Sequence, residues 1–328
     1  MIIDCHGHYT TAPAALDRFR AAQLGAGGDP VPPPSISDDD IRESVAGRQL
    51  ALLDERGIDL VVFSPKASAM GHHEPDPAVA ATWARVSNDL VRRVVELFPG
   101  RFAGACQLPQ TPDGDLSASI HELRRCVAEL GFVGCNLNPD PSGGFWSGRP
   151  LTDPAWFPLY EVLVELDVPA MVHVSTSCNP NAHTLGAHYL NADTAAFVQL
   201  LESDLFDRFP GLRLVIPHGG GAVPYHWGRF RGLAERYGWR DPASLLDNVW
   251  FDSCVYHEPG VRLLLDVIGP DNVLFASEML GAVRGVDPNT GGSWDDTRRY
   301  VERLELAPEE RAKVYAGNAR RVYPRLAY

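Results

Sequence analysis

Short apolar runs alternate with longer amphipathic stretches along the whole chain. The apolar runs are Ile2–His6, Leu60–Ser64, Phe102–Leu108, Val133–Leu137, Ala170–Val174, Leu214–Pro217, Val249–Ser253 and Val273–Ala276. Each is short and rich in Val, Ile, Phe and Leu, the signature of a strand buried on both faces. Between them, helical periodicity covers Asp38–Arg56, Asp76–Leu97, Leu116–Leu130, Trp156–Leu166, Ala192–Phe209, Val223–Tyr237, Pro259–Val267 and Asp295–Leu304. Strands that alternate with helices imply a parallel sheet. Eight such units in 328 residues favour a closed (β/α)8 TIM barrel, one domain over residues 1–328, over an open doubly wound sheet.

Two segments fall outside the pattern. Leu24–Ser37, "LGAGGDPVPPPSIS", is rich in Gly and Pro and reads as a loop insertion after strand 1. A lid or entrance wall and an ordinary surface excursion are equally compatible with it. A further helix is expected from about Glu309, beyond the eighth unit.

Composition narrows the function. The formal net charge of −13 argues against a general nucleic-acid binder, although local arginines can still serve an anionic substrate. No apolar run reaches the roughly 18–20 residues that span a bilayer. "MIIDCHGHY" has no basic or apolar leader, so a cytoplasmic location is expected. The six cysteines are scattered without a CxxC pair and read as free thiols; Cys178, in "STSCNPN", is the one placed for a functional role.

The chemistry collects at strand ends. In "DCHGHY", His6 and His8 lie two apart on extended chain, so both rings face one side. His173 ends the strand in "PAMVHVSTS", and His218 ends the strand in "LVIPHGGG". Glu278 ends the last strand in "NVLFASEM". C-terminal strand ends converge on the catalytic mouth of a barrel. A lone histidine there is often a packed residue, but four histidines and a glutamate at one mouth are poorly explained by packing. Three imidazoles and one carboxylate suit one divalent metal, Zn²⁺ above all. The expected ligands are His6, His8, His173 and Glu278. His218 is then left as a nearby acid or base.

This pattern resembles the amidohydrolase superfamily: His-X-His on strand 1, histidines on strands 5 and 6, and an acid on strand 8. "HGGG" followed by Gly228–Arg229 is similar to the branch that holds amino-carboxymuconate-semialdehyde decarboxylase. Long stretches, "IIDCHGHYTTAP", "NLNPDPSGG", "HVSTSCN", "GAHYLNADT", "VIPHGGGAVPYHWGRFRGLA", "LFASEM" and "GNARRVYPRL", resemble the 4-oxalomesaconate hydratases over nearly the whole chain. Strand 4 ends "CNLNP" with no lysine, which departs from the binuclear members and implies one metal per subunit.

The resemblance implies a hydratase that adds water to the C=C of a tricarboxylate. Its substrate belongs to protocatechuate or gallate 4,5-cleavage, and the product is 4-carboxy-4-hydroxy-2-oxoadipate. A related decarboxylase and a lactonase-type hydrolase are the alternatives, and a metal-binding protein without turnover is a third. Glu278 and His218 carry the proton transfers in this reading. Arg284, Lys66 and Arg229 are the expected cations for the carboxylates. In the decarboxylase branch the arginine equivalent to Arg229 crosses a dimer interface, so a homo-oligomer is expected. Ser175, Thr176, His183, Tyr189 and Asn191 are candidate hydrogen-bond donors after strand 5, although "AHYLNAD" also fits a helix cap at Asn191 or Asp193. His72 and His73 read as an exposed pair, and Asn138 as a residue of the site floor or of a chain bend.

Overall fold

A computed structural model describes residues 1–74, 76–112 and 114–326. Eight parallel strands follow one another around a single sheet: β1 (Ile3–His8), β2 (Leu60–Ser64), β3 (Phe102–Gln107), β4 (Gly134–Leu137), β5 (Ala170–Val172), β6 (Leu214–Ile216), β7 (Val249–Asp252) and β8 (Val273–Leu274). All eight fall within a few residues of the apolar runs. Backbone bonds carry the sheet from β8 back to β1: Cys5 N donates to Phe275 O at 2.9 Å, and Glu278 N donates to His6 O at 3.0 Å. The second bond matters most, because it ties the backbones of two residues of the candidate site together.

The helices are placed by their own signals. Ser37 caps Asp38–Val45 in a reciprocal box with Asp40, and Asp76 caps Pro77–Leu97 by accepting from Ala78 N at 2.8 Å. The helix over Asp38–Arg56 is continuous but carries a wider turn at Ala46–Leu50. Two readings are corrected. The expected helix Ala192–Phe209 begins earlier and is broken, as Tyr189–Leu201 and Leu205–Arg208. An additional helix, Ala14–Gly25, precedes the Gly/Pro segment. Its large apolar positions, Leu16, Phe19 and Leu24, are interrupted by charge, so no clear stripe announces it.

The core has two parts. The larger lies between sheet and helices, with Phe63, Phe102, Phe197, Leu214 and Phe251 fully buried. The smaller fills the barrel interior, where Ile3, Cys5, Leu60, Val62, Met171 and Val215 meet Ala316, Ala319, Val322 and Tyr323. The segment after β8 therefore plugs the barrel. It consists of the short helices Pro308–Ala312 and Asn318–Val322, joined by a wider turn. Its Val322 carbonyl accepts from Arg213 Nε at 3.0 Å, just before β6 begins, so the plug sits at the strand N-termini and leaves the opposite mouth open. Among the described residues no helix is long and apolar enough to cross a membrane.

Candidate metal centre

At the mouth, His6, His8, His173 and Glu278 place one ligand atom each within 4.8 Å of one another, and all four residues are buried. The rings of His6, His8 and His173 are 4.8–5.1 Å apart and nearly perpendicular. His6 Nε2 and His8 Nε2 approach to 3.0 Å.

Each ring is turned by a partner on its other nitrogen. His6 Nδ1 donates to Asp252 Oδ2 at 2.7 Å. His173 Nδ1 donates to Val174 O at 2.7 Å. His8 Nδ1 lies 2.8 Å from Ser64 Oγ, whose own hydrogen has the Pro65 carbonyl at 3.1 Å. With the Nδ1 positions engaged, the Nε2 lone pairs of all three rings face one point. Burial, and then the neighbouring histidines, hold His8 and His173 well below the usual imidazole range, so both are neutral ligands. His173 Nε2 is buried with no hydrogen-bond partner among the described residues. A buried polar atom left unpaired is costly, and a cation removes that cost. The donor set therefore fits one divalent cation.

Glu278 enters from the loop after β8 in a left-handed conformation (φ 47°), uncommon for a residue with a side chain. Gly281 makes this possible: a Cβ there would fall 2.5 Å from Glu278 O and 2.7 Å from its Cγ. Asp4 steadies the approach by accepting from Ser277 N at 3.1 Å and from His6 N at 3.0 Å.

His218 stands beside the cluster, its ring 5.3 Å from that of His6 and 5.2 Å from that of His173. Its Nδ1 donates to Asp193 Oδ2 at 2.9 Å, and its Nε2 is buried without a partner among the described residues. Burial by itself favours the neutral ring, but the Asp193 carboxylate outweighs it and raises the His218 pKa to about 9. The glycines after it serve packing. A Cβ on Gly221 would lie 2.3 Å from Leu190 O and 2.7 Å from Thr194 Oγ1.

The centre opens into a cavity of ≈ 430 Å³ lined by His8, Lys66, Thr176, Tyr189, Glu278 and Arg284, among others. The Tyr189 ring stacks on His218 with centroids 5.5 Å apart. Lys66 has no ion-pair partner among the described residues. Arg284 bends back on its own loop, where Nε donates to Gly281 O at 3.0 Å and Nη2 donates to Leu280 O. Lys66, Tyr189, Thr176 and Arg284 are thus brought together with the cluster.

Other candidates lie elsewhere. His183 is exposed and accepts from Gly186 N at 3.0 Å, starting the turn before the helix Tyr189–Leu201. Asn191 is exposed on that helix, so it does not cap it. Asp193, offered as a cap, is the buried partner of His218. Arg229 is exposed on the helix Trp227–Tyr237 and does not line the cavity of its own subunit. Ser175 is buried beneath the cavity, where its Oγ accepts from His72 N and Asn138 Nδ2, both at 3.3 Å. His72 is therefore buried rather than exposed: its Nε2 donates to Leu108 O at 3.0 Å and its Nδ1 accepts from Asn138 Nδ2 at 2.8 Å. Cys178 is exposed, with its thiol toward the Ser142 and Gly143 carbonyls.

The amidohydrolase family model matches residues 3–325. The chain belongs to the amidohydrolase family. Within it, the chain is 59% identical to the 2-keto-4-carboxy-3-hexenedioate hydratase of Sphingobium sp. (strain NBRC 103272 / SYK-6), covering 99% of this chain and 97% of that protein. The crystal structure of 4-oxalomesaconate hydratase from Rhodopseudomonas palustris superposes with a TM-score of 0.91 at 54% identity, covering 99% of this chain and 96% of that one. A dihydroxybenzoic acid decarboxylase from Polaromonas sp. JS666, with bound manganese and 2-nitroresorcinol, shares the barrel at a TM-score of 0.73 and 23% identity, covering 100% of this chain and 99% of that one. An amidohydrolase with this histidine-rich mouth is a divalent-metal enzyme, and its relatives at more than half identity are hydratases.

Three residues that bond the cluster's side chains escape the sequence reading as site residues: Asp252, Tyr256 and Asp193, the last offered only as a helix cap. Asp252 sits at the end of β7 in "VWFDSC", the same signal that marked Glu278. Tyr256 donates a hydrogen bond to Glu278 Oε2 across 22 positions of sequence, a link that no local pattern announces.

Proposed function

We propose that this chain is a metal-dependent hydro-lyase that adds water across the C=C of 4-oxalomesaconate (2-keto-4-carboxy-3-hexenedioate) and gives 4-carboxy-4-hydroxy-2-oxoadipate. One observation carries the reading. A chain that is 59% identical over its length to a hydratase of that substrate places Glu278 beside three histidines, at the base of a cavity rimmed by Lys66 and Arg284.

His6, His8, His173 and Glu278 hold the cation, and we assign zinc, because three neutral imidazoles and a carboxylate suit it. When bound, the cation supplies Lewis acidity, which brings the pKa of water toward neutrality. The chain's own groups do the rest. The ketone makes the distant alkene carbon electrophilic, so that carbon receives the hydroxyl oxygen. Glu278 Oε1, which has no hydrogen-bond partner among the described residues, takes the proton released from the water. Charge moves through the conjugated system onto the ketone oxygen. His218, oriented by the bond from its Nδ1 to Asp193, presents Nε2 to that oxygen and, protonated there, delivers a proton toward the α-carbon. Lys66 and Arg284 pair with substrate carboxylates, Arg284 through the Nη1 that its own loop leaves free. Tyr189 walls the cavity by stacking on His218.

The place in metabolism follows from the substrate: protocatechuate or gallate 4,5-cleavage in the cytoplasm. A homo-oligomer remains part of the reading, since Arg229 is exposed and outside the cavity of its own subunit, where a second copy can use it. The test combines metal analysis of purified protein with a spectrophotometric assay on 4-oxalomesaconate. Loss of the enone absorbance without release of CO2, abolished by a chelator and restored by zinc, is expected. CO2 release establishes the decarboxylase instead, and bound metal with no turnover defeats the proposal.

A further inference from the structure

The loop after β7 reaches the metal centre through one side chain. The Tyr256 hydroxyl donates to Glu278 Oε2, the one side-chain hydrogen bond that Glu278 makes among the described residues. Both partners have left-handed backbones, Tyr256 at φ 57° and Glu278 at φ 47°. Such conformations are uncommon for residues with side chains and persist where the surroundings hold them. Here the surroundings on both sides are identifiable. Asp252 Oδ1 accepts from Cys254 N at 3.0 Å and from Gly219 N at 3.3 Å, which fixes the start of the Tyr256 loop. On the other side, the His6 carbonyl and Gly281 fix Glu278. Two strained turns thus meet in one hydrogen bond.

A carboxylate beside a cation has two equivalent oxygens and can ligate through either or both. A donor on one oxygen removes that equivalence. We propose that Tyr256 is a positioning residue for Glu278: its hydroxyl holds Oε2 and so dedicates Oε1 to the cavity side of the centre. This deepens the proposed function and rests on it for the role of Oε1 as base, but not for the geometry. A phenol suits the task because its hydroxyl is a hydrogen-bond donor carried on a rigid ring. The same bond distinguishes Glu278 from a freely turning ligand. With Oε2 pinned, Glu278 would present Oε1 to a bound cation in one orientation.

The test is Tyr256→Phe, which removes one oxygen and keeps the ring and the backbone. Cobalt-substituted protein gives a visible spectrum that reports how Glu278 ligates, and no substrate is required. The expected result is a changed Co²⁺ spectrum with one metal per chain retained. On 4-oxalomesaconate, kcat should fall about 10–100-fold with KM within about twofold, the size of effect seen when partners of metal ligands are removed. The double variant Tyr256→Phe/Glu278→Gln adds the decisive arm. If the phenol acts through the carboxylate, Tyr256→Phe changes neither spectrum nor residual rate in the Glu278→Gln background. An unchanged Co²⁺ spectrum in the single variant overturns the proposal, as does an equal effect in both backgrounds. If wild-type protein fails to hydrate the substrate, the proposed function falls, and the cobalt arm still decides the role of Tyr256.

Discussion

Asp193 Oδ2 lies 2.9 Å from His218 Nδ1, and both groups are buried. The pair fixes the ring and its charge at once. In metal-free protein His218 should carry both protons up to about pH 9, because the nearby carboxylate outweighs burial. The sign follows directly. A folded pKa above the unfolded value of about 6.5 contributes stability that is complete below that pH and disappears as pH rises through 9. Nitrogen-15 chemical shifts of the His218 ring should show this. Asp193→Asn should bring the titration down by about 1–3 pH units. A ring that titrates unchanged in the variant would show that Asp193 does not set its charge.

Glu278→Gln should keep the fold and lose most activity, on the order of 10²–10⁴-fold in kcat, as expected for removal of a general base. Circular dichroism and thermal melting check the fold while the hydration assay checks the rate. Wild-type turnover in this variant would remove Glu278 from the mechanism.

Asp252→Asn should weaken metal binding about 10–100-fold while leaving the four ligand atoms in place. The carboxylate holds the His6 Nδ1 hydrogen at 2.7 Å, and the amide is a poorer acceptor that can also present its NH2 to the ring. Competition with a chromogenic chelator gives the affinity. Equal affinities would mean that His6 is oriented by its backbone alone.

Lys66→Ala and Arg284→Ala should each raise KM for 4-oxalomesaconate, by about 10-fold or more, with a smaller change in kcat. Among the described residues, both side chains rim the cavity and make no hydrogen bond or ion pair with the histidines. Asn191→Ala, on the exposed helix face, should leave both constants unchanged. A KM effect at Asn191 matching that at Lys66 would mean that substrate binds elsewhere.

Stability toward acid should depend on a cluster between the helices Pro77–Leu97 and Ser117–Ala128. Glu122 accepts from Arg125 Nη2 at 2.7 Å and from Asn88 Nδ2 at 2.8 Å. Burial works to raise the Glu122 pKa, but Arg125 and Asn88 outweigh it and the carboxyl sits below its usual range. Its contribution is therefore present above the unfolded value of about 4.3 and lost as pH falls through the lower folded value. Glu122→Ala leaves Arg125 buried with one partner fewer and should cost about 3–5 kcal/mol in urea unfolding at neutral pH. The difference from wild type should shrink as pH falls below about 4.

The strands and the strand-end histidines were legible because both signals are local. A run such as "LVVFS" is apolar on both faces, and His-X-His shows its geometry within three residues. The residues that escaped notice work across the barrel. Asp252 is 246 positions from His6, and Tyr256 reaches Glu278 from a different loop. His183 and Asn191 lie outside the cavity lining for a related reason. The turn at Thr184–His188 and the early helix start at Tyr189 carry both side chains outward, whereas Tyr189 itself is turned inward onto His218. Sequence proximity to a site loop does not decide which side of that loop faces the metal.

The bond from Glu278 N to His6 O has a consequence during synthesis. His6 and Glu278 are 272 positions apart (278 − 6), and the plug that fills the barrel interior lies later still. At ~5–20 residues per second, a ribosome takes roughly 15–55 s to add the fourth ligand after the first. Until His173 is added, His6 and His8 form only a two-pronged chelate, and until Glu278 is added three ligands at most stand on an unclosed sheet. Full-strength metal capture is thus deferred until the strand that completes the barrel has emerged, so a nascent chain acquires its cation and its closure together.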